Sequence, residues 1–364
     1  MTQRATPTVW RVRISTLTHV AALTLLGCGF HGETANDSLD SESSLRFPTV
    51  TLEPGATMRV RGGKLIDRCG EVVTLRGVNK DTYVDTTGAS LPEIGKTAAN
   101  AVRMVWTLNR SAYDAERVIA GALAAKLIPI IEMHDATGDF SKLDAVFDYW
   151  TRADVAAVLI AHETDLIVNV ANEAGTNATT DAVYTSTYNA GIARLRAAGL
   201  HMPLMLDAAS WGQGVEQLLR VAPSVLAADS DHNVVFSWHE YSSGPGATEE
   251  TRITSVLESA KGAGIALVIG EFAGVGVDNC DQPLPYGHLI GEAQRLGVGY
   301  LAWSWDNTNG HCRKDGASPF DMVTDGKTVA SLKPGWARDV VLDHPASIAH
   351  TAVRTKWQTT RSCF

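Results

Sequence analysis

Two glutamates stand out by type and surroundings. Glu173 follows Asn172, and Glu271 sits in the run Ile269-Gly270-Glu271-Phe272. Two carboxyl groups facing one cleft suit glycosidic bond cleavage, in which one protonates the leaving oxygen and the other attacks or stabilises the anomeric carbon. The jobs need different proton affinities: the acid must hold its proton near neutrality while the nucleophile stays ionised. Arg103 and Tyr241 are the residues expected to assist Glu271, by charge and by hydrogen bond. Asn172 is expected to bond a sugar hydroxyl, and Trp303 to offer a flat face to a pyranose ring. His134, His239 and Trp211 complete the candidate set.

Those residues need elements that bring them together. β-rich runs recur at Val72–Val78, Ala99–Trp106, Ile128–Met133, Leu166–Val170, Pro203–Leu206, Val234–Trp238, Ala266–Gly270 and Val298–Trp303. Amphipathic stretches lie between them, with Tyr184, Tyr188, Ile192 and Leu195 at helical spacing. Strands apolar on both faces suit a parallel sheet covered by helices. Eight such units predict a (β/α)8 TIM barrel, and a doubly wound sheet is weaker because no Gly-rich phosphate loop follows the first strand. Lys64–Asp67 and Glu71–Val73 predict a short N-terminal β-hairpin plugging the barrel. In a barrel, chemistry gathers at the C-terminal strand ends. Asn79, Arg103, His134, Asn172, Glu173, Asp207, Trp211, His239, Tyr241, Glu271 and Trp303 all fall at or near such ends.

Composition narrows the classes. The 364 residues are 45% hydrophobic and 20% charged, enough to bury a large core. Lys plus Arg number 31 against 40 Asp plus Glu, a net −9 with no basic cluster, which argues against nucleic acid as a partner. No apolar run reaches the roughly 18 residues a spanning helix needs. The sequence lacks a G-x-S-x-G elbow, an H-E-x-x-H pair and a P-loop. The glycines of Gly297-Val298-Gly299 precede a strand rather than follow one, so no cofactor is expected. Metal readings of His134-Asp135, or of Asp278 and Asp281 beside Cys280, are weaker than ordinary hydrogen bonding and a solvated turn.

Taken together, Leu75–Asn79, Asn100–Arg103, Asn172-Glu173, His239-Glu240-Tyr241, Ile269–Phe272 and Trp303-Ser304-Trp305 resemble glycoside hydrolase family 5. Glu132–Gly138, Asp207–Gln213 and Gly297–Trp303 are similar to its bacterial β-mannanase branch. The resemblance spans about residues 63–354. It implies retaining endo-hydrolysis of β-1,4-mannan, with Glu173 as acid/base and Glu271 as nucleophile. Arg103, His134, Asn172, His239, Tyr241 and Trp303 would surround the cleaved bond. Lys80, Ala174 and the segment Asp306–Cys312 depart from that branch, and each bears on the sugar subsites. A family 5 β-1,4-glucanase is the alternative substrate reading. A surface glycan-binding lipoprotein without turnover is the alternative of another class, disfavoured by the intact pair of glutamates.

The first residues form no part of the expected barrel. Residues 1–28 read as an export signal, with Arg4, Arg11 and Arg13 before the apolar stretch Leu17–Leu26. Leu25-Leu26-Gly27-Cys28 resembles a bacterial lipobox, whose cysteine carries lipid. Residues 29–48, rich in Ser and acidic side chains, predict a disordered tether, and residues 49–364 the catalytic domain. A monomer is expected, touching a membrane only through Cys28. In an exported chain the remaining Cys69, Cys280, Cys312 and Cys363 favour disulfides over free thiols. Of the three pairings, Cys280 with Cys312 and Cys69 with Cys363 is preferred. Cys28→Ala is expected to release the protein from the membrane fraction, and unchanged fractionation would remove the anchor.

Overall fold

The computed structural model describes residues 57–242 and 246–364; the export segment, Cys28 and the tether lie outside them. Three short strands come first, β1 (Arg59–Arg61), β2 (Lys64–Ile66) and β3 (Val72–Val73), pairing antiparallel in that order. Eight parallel strands then close a barrel: β4 (Arg76–Asp81), β5 (Ala101–Trp106), β6 (Ile128–Met133), β7 (Ile167–Asn169), β8 (Leu204–Asp207), β9 (Val234–Glu240), β10 (Leu267–Phe272) and β11 (Gly299–Ala302). Helices run between consecutive barrel strands, among them α1 (Leu91–Lys96), α2 (Ala112–Ala124), α3 (Leu143–Thr151), α4 (Ala153–Ala161), α5 (Asp181–Ala197), α6 (Val215–Ala228), α7 (Gly246–Gly262) and α8 (Tyr286–Leu296). The (β/α)8 expectation holds.

One strand differs from its sequence reading. The run Val72–Val78 is not a single strand. Val72 and Val73 pair with Ile66 and Leu65, and the chain enters the barrel only at Arg76. The expected hairpin of Lys64–Asp67 with Glu71–Val73 is present, and β1 pairing with β2 extends it to a three-stranded sheet. Its Leu65 and Val73 pack with Met58 against Ile128, Ile130, Ile167, Met205, Val235, Val268 and Leu301, sealing the N-terminal end of the barrel.

Alternation along each strand turns this apolar floor into a polar layer. Side chains two residues apart share a face. From Ala101 the next inward position is Arg103, from Ile130 it is Glu132, from Ile167 it is Asn169, and from Met205 it is Asp207. Val235 leads to Ser237, His239 and Tyr241 by the same step. β10 breaks the count. Ile269 pairs with Trp238 but Glu271 with His239, so Gly270 forms a bulge. That one-residue shift turns Glu271 onto the inner face that Val268 occupies below. A Cβ at Gly270 would lie 2.1 Å from Ser237 Oγ, so only glycine fits the bulge.

The outer layer follows ordinary helix chemistry. Ser111 and Thr180 accept hydrogen bonds from the first-turn amides of α2 and α5. Gly297, at φ 73°, ends α8 in the left-handed conformation and so serves a helix terminus, while Gly299 opens β11. Cys69 is bonded to Cys363, tying the small sheet to the C-terminal segment, and Cys280 is bonded to Cys312.

Candidate active site

Arg103, fully buried at the centre of the polar layer, spends all five of its N–H groups. Nε donates to Asn169 Oδ1 at 2.6 Å. Nη1 donates to Asn79 Oδ1 at 2.9 Å and to Glu271 Oε1 at 2.7 Å. Nη2 donates to Asn172 Oδ1 at 2.7 Å and to Asp207 Oδ2 at 3.1 Å. These acceptors come from β4, β7, β8, β10 and the turn after β7, so one planar guanidinium sets the spacing of five segments. Burial opposes its charge, but Glu132, Asp207 and Glu271 outweigh burial and hold its pKa above the ordinary value.

Glu271 is fixed at both oxygens. Its Oε1 takes the Arg103 bond and its Oε2 accepts from the Tyr241 hydroxyl at 2.9 Å. Glu173 sits in a turn instead of a strand, at φ 47°, a left-handed conformation that non-glycine residues adopt at a cost. The turn is held by its neighbours. Glu173 N donates to Asp207 Oδ2 at 3.1 Å, Gly138 N donates to Glu173 O at 3.0 Å, and Ala174 bridges Thr137.

His239 stands between the two carboxyl groups. Its Nδ1 lies 2.8 Å from Glu173 Oε1 and 3.6 Å from Glu271 Oε1. One oxygen of each glutamate and a nitrogen of His239 all lie within 4.8 Å of one another. Burial lowers the His239 pKa to about 3, which favours the neutral ring. Its Nε2 has no hydrogen-bond partner, and the facing acceptor is Asp207 Oδ2 at 3.4 Å. A proton on Nε2 therefore faces a carboxylate and leaves Nδ1 as an acceptor, which suits a Glu173 that keeps its own proton. Glu173 is pushed well above the usual carboxyl range, first by burial and then by the charges of Glu271 and Asp207, with Arg103 opposing. For His134, burial lowers the pKa, but the charge and the 2.9 Å bond of Glu132 raise it to about 9.

A cleft of about 480 Å³ opens above this layer, lined by His134, Asn172, Glu173, Trp211, Tyr241, Glu271 and Trp303. Trp303 stacks on His134 with ring centres 5.9 Å apart and planes 13° from parallel. Trp211 is 45% exposed at the rim of the cleft, with its indole against Gly138. The strand-end residues thus meet at one mouth, but not all reach the cleft. Arg103 and His239 are wholly buried beneath it and reach it through Glu271 and Glu173. Asn172 spends its amide on Arg103 and on Thr137 Oγ1 at 2.9 Å. Lys80 has the opposite parity to Asn79 and pairs with Asp306 away from the cleft. Asp135 accepts from Leu108 N at 2.8 Å and serves its loop.

Glu132 and Asn169 belong to the site, yet the strand-end reading passed over them. Their signal is a polar residue inside an otherwise apolar strand, whose charge or amide must find a buried partner. Gln213, Val277, Asp278, His311 and Phe320 also line the cleft, from loops whose path strand periodicity does not encode. Glu173, His239 and Glu271 present a possible metal-ligand geometry, but Arg103 and Tyr241 already occupy the Glu271 oxygens. A second such group among the described residues, Cys280, His311 and Cys312, has its two sulfurs bonded to each other.

Residues 66–309 match the family model described as Cellulase (glycosyl hydrolase family 5). The chain is 36% identical over 279 residues to a mannan endo-1,4-beta-mannosidase of Streptomyces lividans, covering 73% of this chain and 69% of that one. It is 34% identical over 304 residues to a mannan endo-1,4-beta-mannosidase of Salipaludibacillus agaradhaerens, covering 80% and 91%. The catalytic domain of a mannanase from Streptomyces sp. SirexAA-E superposes with a TM-score of 0.74 at 30% identity, covering 85% of this chain and 96% of that one.

Removing the guanidinium would leave Glu271 and Asp207 buried without their cation. Arg103→Met is expected to lower unfolding free energy by about 3–5 kcal/mol, measured by urea denaturation. A loss below about 1 kcal/mol would mean that Arg103 does not organise the layer.

Proposed function

We propose that this chain, which belongs to glycosyl hydrolase family 5, is a retaining endo-β-1,4-mannanase with Glu173 as general acid/base and Glu271 as nucleophile. The observation that carries the reading is the approach of a Glu173 oxygen to a Glu271 oxygen within 4.8 Å. Retaining enzymes hold their carboxyl groups about 5–5.5 Å apart, whereas inverting enzymes leave room for a water at about 6.5–9.5 Å. Mannan as substrate rests on the relatives, which carry that activity in their names.

In the first step Glu271, aimed by Arg103 and Tyr241, attacks the anomeric carbon. Glu173 gives its proton to the departing glycosidic oxygen, and the C–O bond breaks as the glycosyl–Glu271 ester forms. Glu173 is then a carboxylate. It takes a proton from water, whose oxygen attacks the same carbon and restores Glu271. Two inversions leave the configuration unchanged. Arg103 and His239 act here as positioning residues, while Trp303 and Trp211 offer planes to sugar rings. Export, with lipid at Cys28, is part of the same proposal and rests on residues 1–28.

Reducing-sugar release from mannan, with little from carboxymethylcellulose, is the expected outcome of a substrate panel. Brisk cellulose cleavage without mannan cleavage would transfer the proposal to a glucanase. Glu271→Ala is expected to lose turnover and to form an inverted glycosyl azide when azide is supplied. Glu173→Ala is expected to lose about 10²–10⁴-fold on polysaccharide, to spare activated aryl leaving groups, and to form the retained azide. Swapped products would reverse the two roles.

The acid works protonated, so activity is lost as pH rises through the raised pKa of Glu173. Asp207 contributes to that rise, and Asp207→Asn is expected to move the alkaline limb of kcat/KM to lower pH. A limb that stays in place, or moves up, would detach it from Glu173.

A further inference from the structure

The structure gives the segment Asp306–Cys312 a specific place. It begins the loop that follows β11, across from the loop 274–285 that follows β10. Three cross-links join the two loops. Cys280 is bonded to Cys312, His311 Nε2 donates to Val277 O at 2.8 Å, and Lys314 Nζ lies 3.4 Å from Asp281 Oδ1. The second loop is also anchored inward. Asn309 Oδ1 accepts from Trp303 Nε1 at 2.9 Å, while its backbone N and its Nδ2 donate to Asp321 Oδ1 at 3.0 and 2.7 Å.

This pair of loops forms one wall of the cleft, through Val277, Asp278, His311 and Phe320. The His311 ring rests edge-on against Phe320 at 5.5 Å, and Phe320 packs in the same manner on Tyr241 at 5.9 Å. A continuous line of contact thus runs from His311 to the hydroxyl that holds Glu271. His311 Nε2 is satisfied, whereas its Nδ1 and the exposed Asp278 carboxylate have no hydrogen-bond partner among the described residues. Two acceptors held on a braced wall suit the hydroxyl donors of a pyranose.

We propose that His311 and Asp278 bind hydroxyls of a sugar ring adjoining the one that is cleaved, and that the Cys280–Cys312 bond holds this wall in position. The inference rests on the proposed glycanase reading and adds residues that determine how it grips its chain. Long oligosaccharides gain from the wall, which reaches Glu271 only through Phe320 and Tyr241 and supplies no reacting group.

The test compares native protein with His311→Ala, Asp278→Asn and the pair Cys280→Ser with Cys312→Ser on β-1,4-mannohexaose. Each set is expected to lower kcat/KM about five- to tenfold, mainly through KM, with the pH profile in place. His311→Asn, which retains a polar acceptor, is expected to recover part of the loss. A wall that only stabilises the fold would lower the melting temperature of the serine pair and leave KM alone. KM within twofold of native in any of the three sets overturns the proposal. Mannohexaose affinity by calorimetry in a Glu173→Ala background reads the wall without turnover. A chain inactive on every β-glycan therefore sinks the proposed function, whereas a Kd unmoved by His311→Ala sinks the wall.

Discussion

A single guanidinium meets five acceptors inside a closed barrel, and the rest of the site takes its dimensions from that fact. Arg103 has no spare donor and no exposure to water, so each partner is fixed by geometry that the others share. The cation is also the counter-charge of a layer rich in carboxylates. Together with a protonated His134 it balances most of Glu132, Asp207 and Glu271. One more negative charge has no such partner. Glu173 is the group that gives way, holding its proton where burial and its neighbours make ionisation costly. Two carboxyl groups of the same chemical type are thus set apart, because Glu271 is bonded to the guanidinium whereas Glu173 has only the neutral ring of His239 as its neighbour.

The barrel supplies the rigidity that this arrangement needs. The inner apolar layer, closed from below by Leu65 and Val73, excludes water from one side of Arg103. The helices pack the other face of every strand, so the polar side chains are held on elements that cannot drift separately. Strain is kept for the turns. Glu173 sits in a left-handed backbone conformation, tied down by Asp207, Gly138 and Thr137 in place of regular strand pairing.

The eightfold repeat and the strand-end residues were legible because each rests on a local rule. Apolar runs mark buried parallel strands, and barrel chemistry gathers at their C-terminal ends. The run Val72–Val78 overreaches the barrel strand because Val72 and Val73 are as β-prone as the residues that follow, whereas the hairpin expected from Lys64–Asp67 and Glu71–Val73 is where those two valines pair. Glu132 and Asn169 were passed over because attention to strand ends ignores a lone polar residue within an apolar run. Arg103 and His239 were found, but their depth beneath the cleft was not, since periodicity tells which face a residue takes and not what covers it. The loop carrying His311 lay beyond such rules altogether, because irregular backbone follows no period.

Gly270 has a consequence for how such chains can vary. The bulge works as a frame shift in side-chain direction: a strand one residue shorter there would carry the same letters and aim Glu271 into the helical layer. The number of residues in β10 is therefore as fixed as the identities of Gly270 and Glu271. Insertions and deletions belong to the loops beyond Phe272, where the reading frame of inside and outside no longer matters.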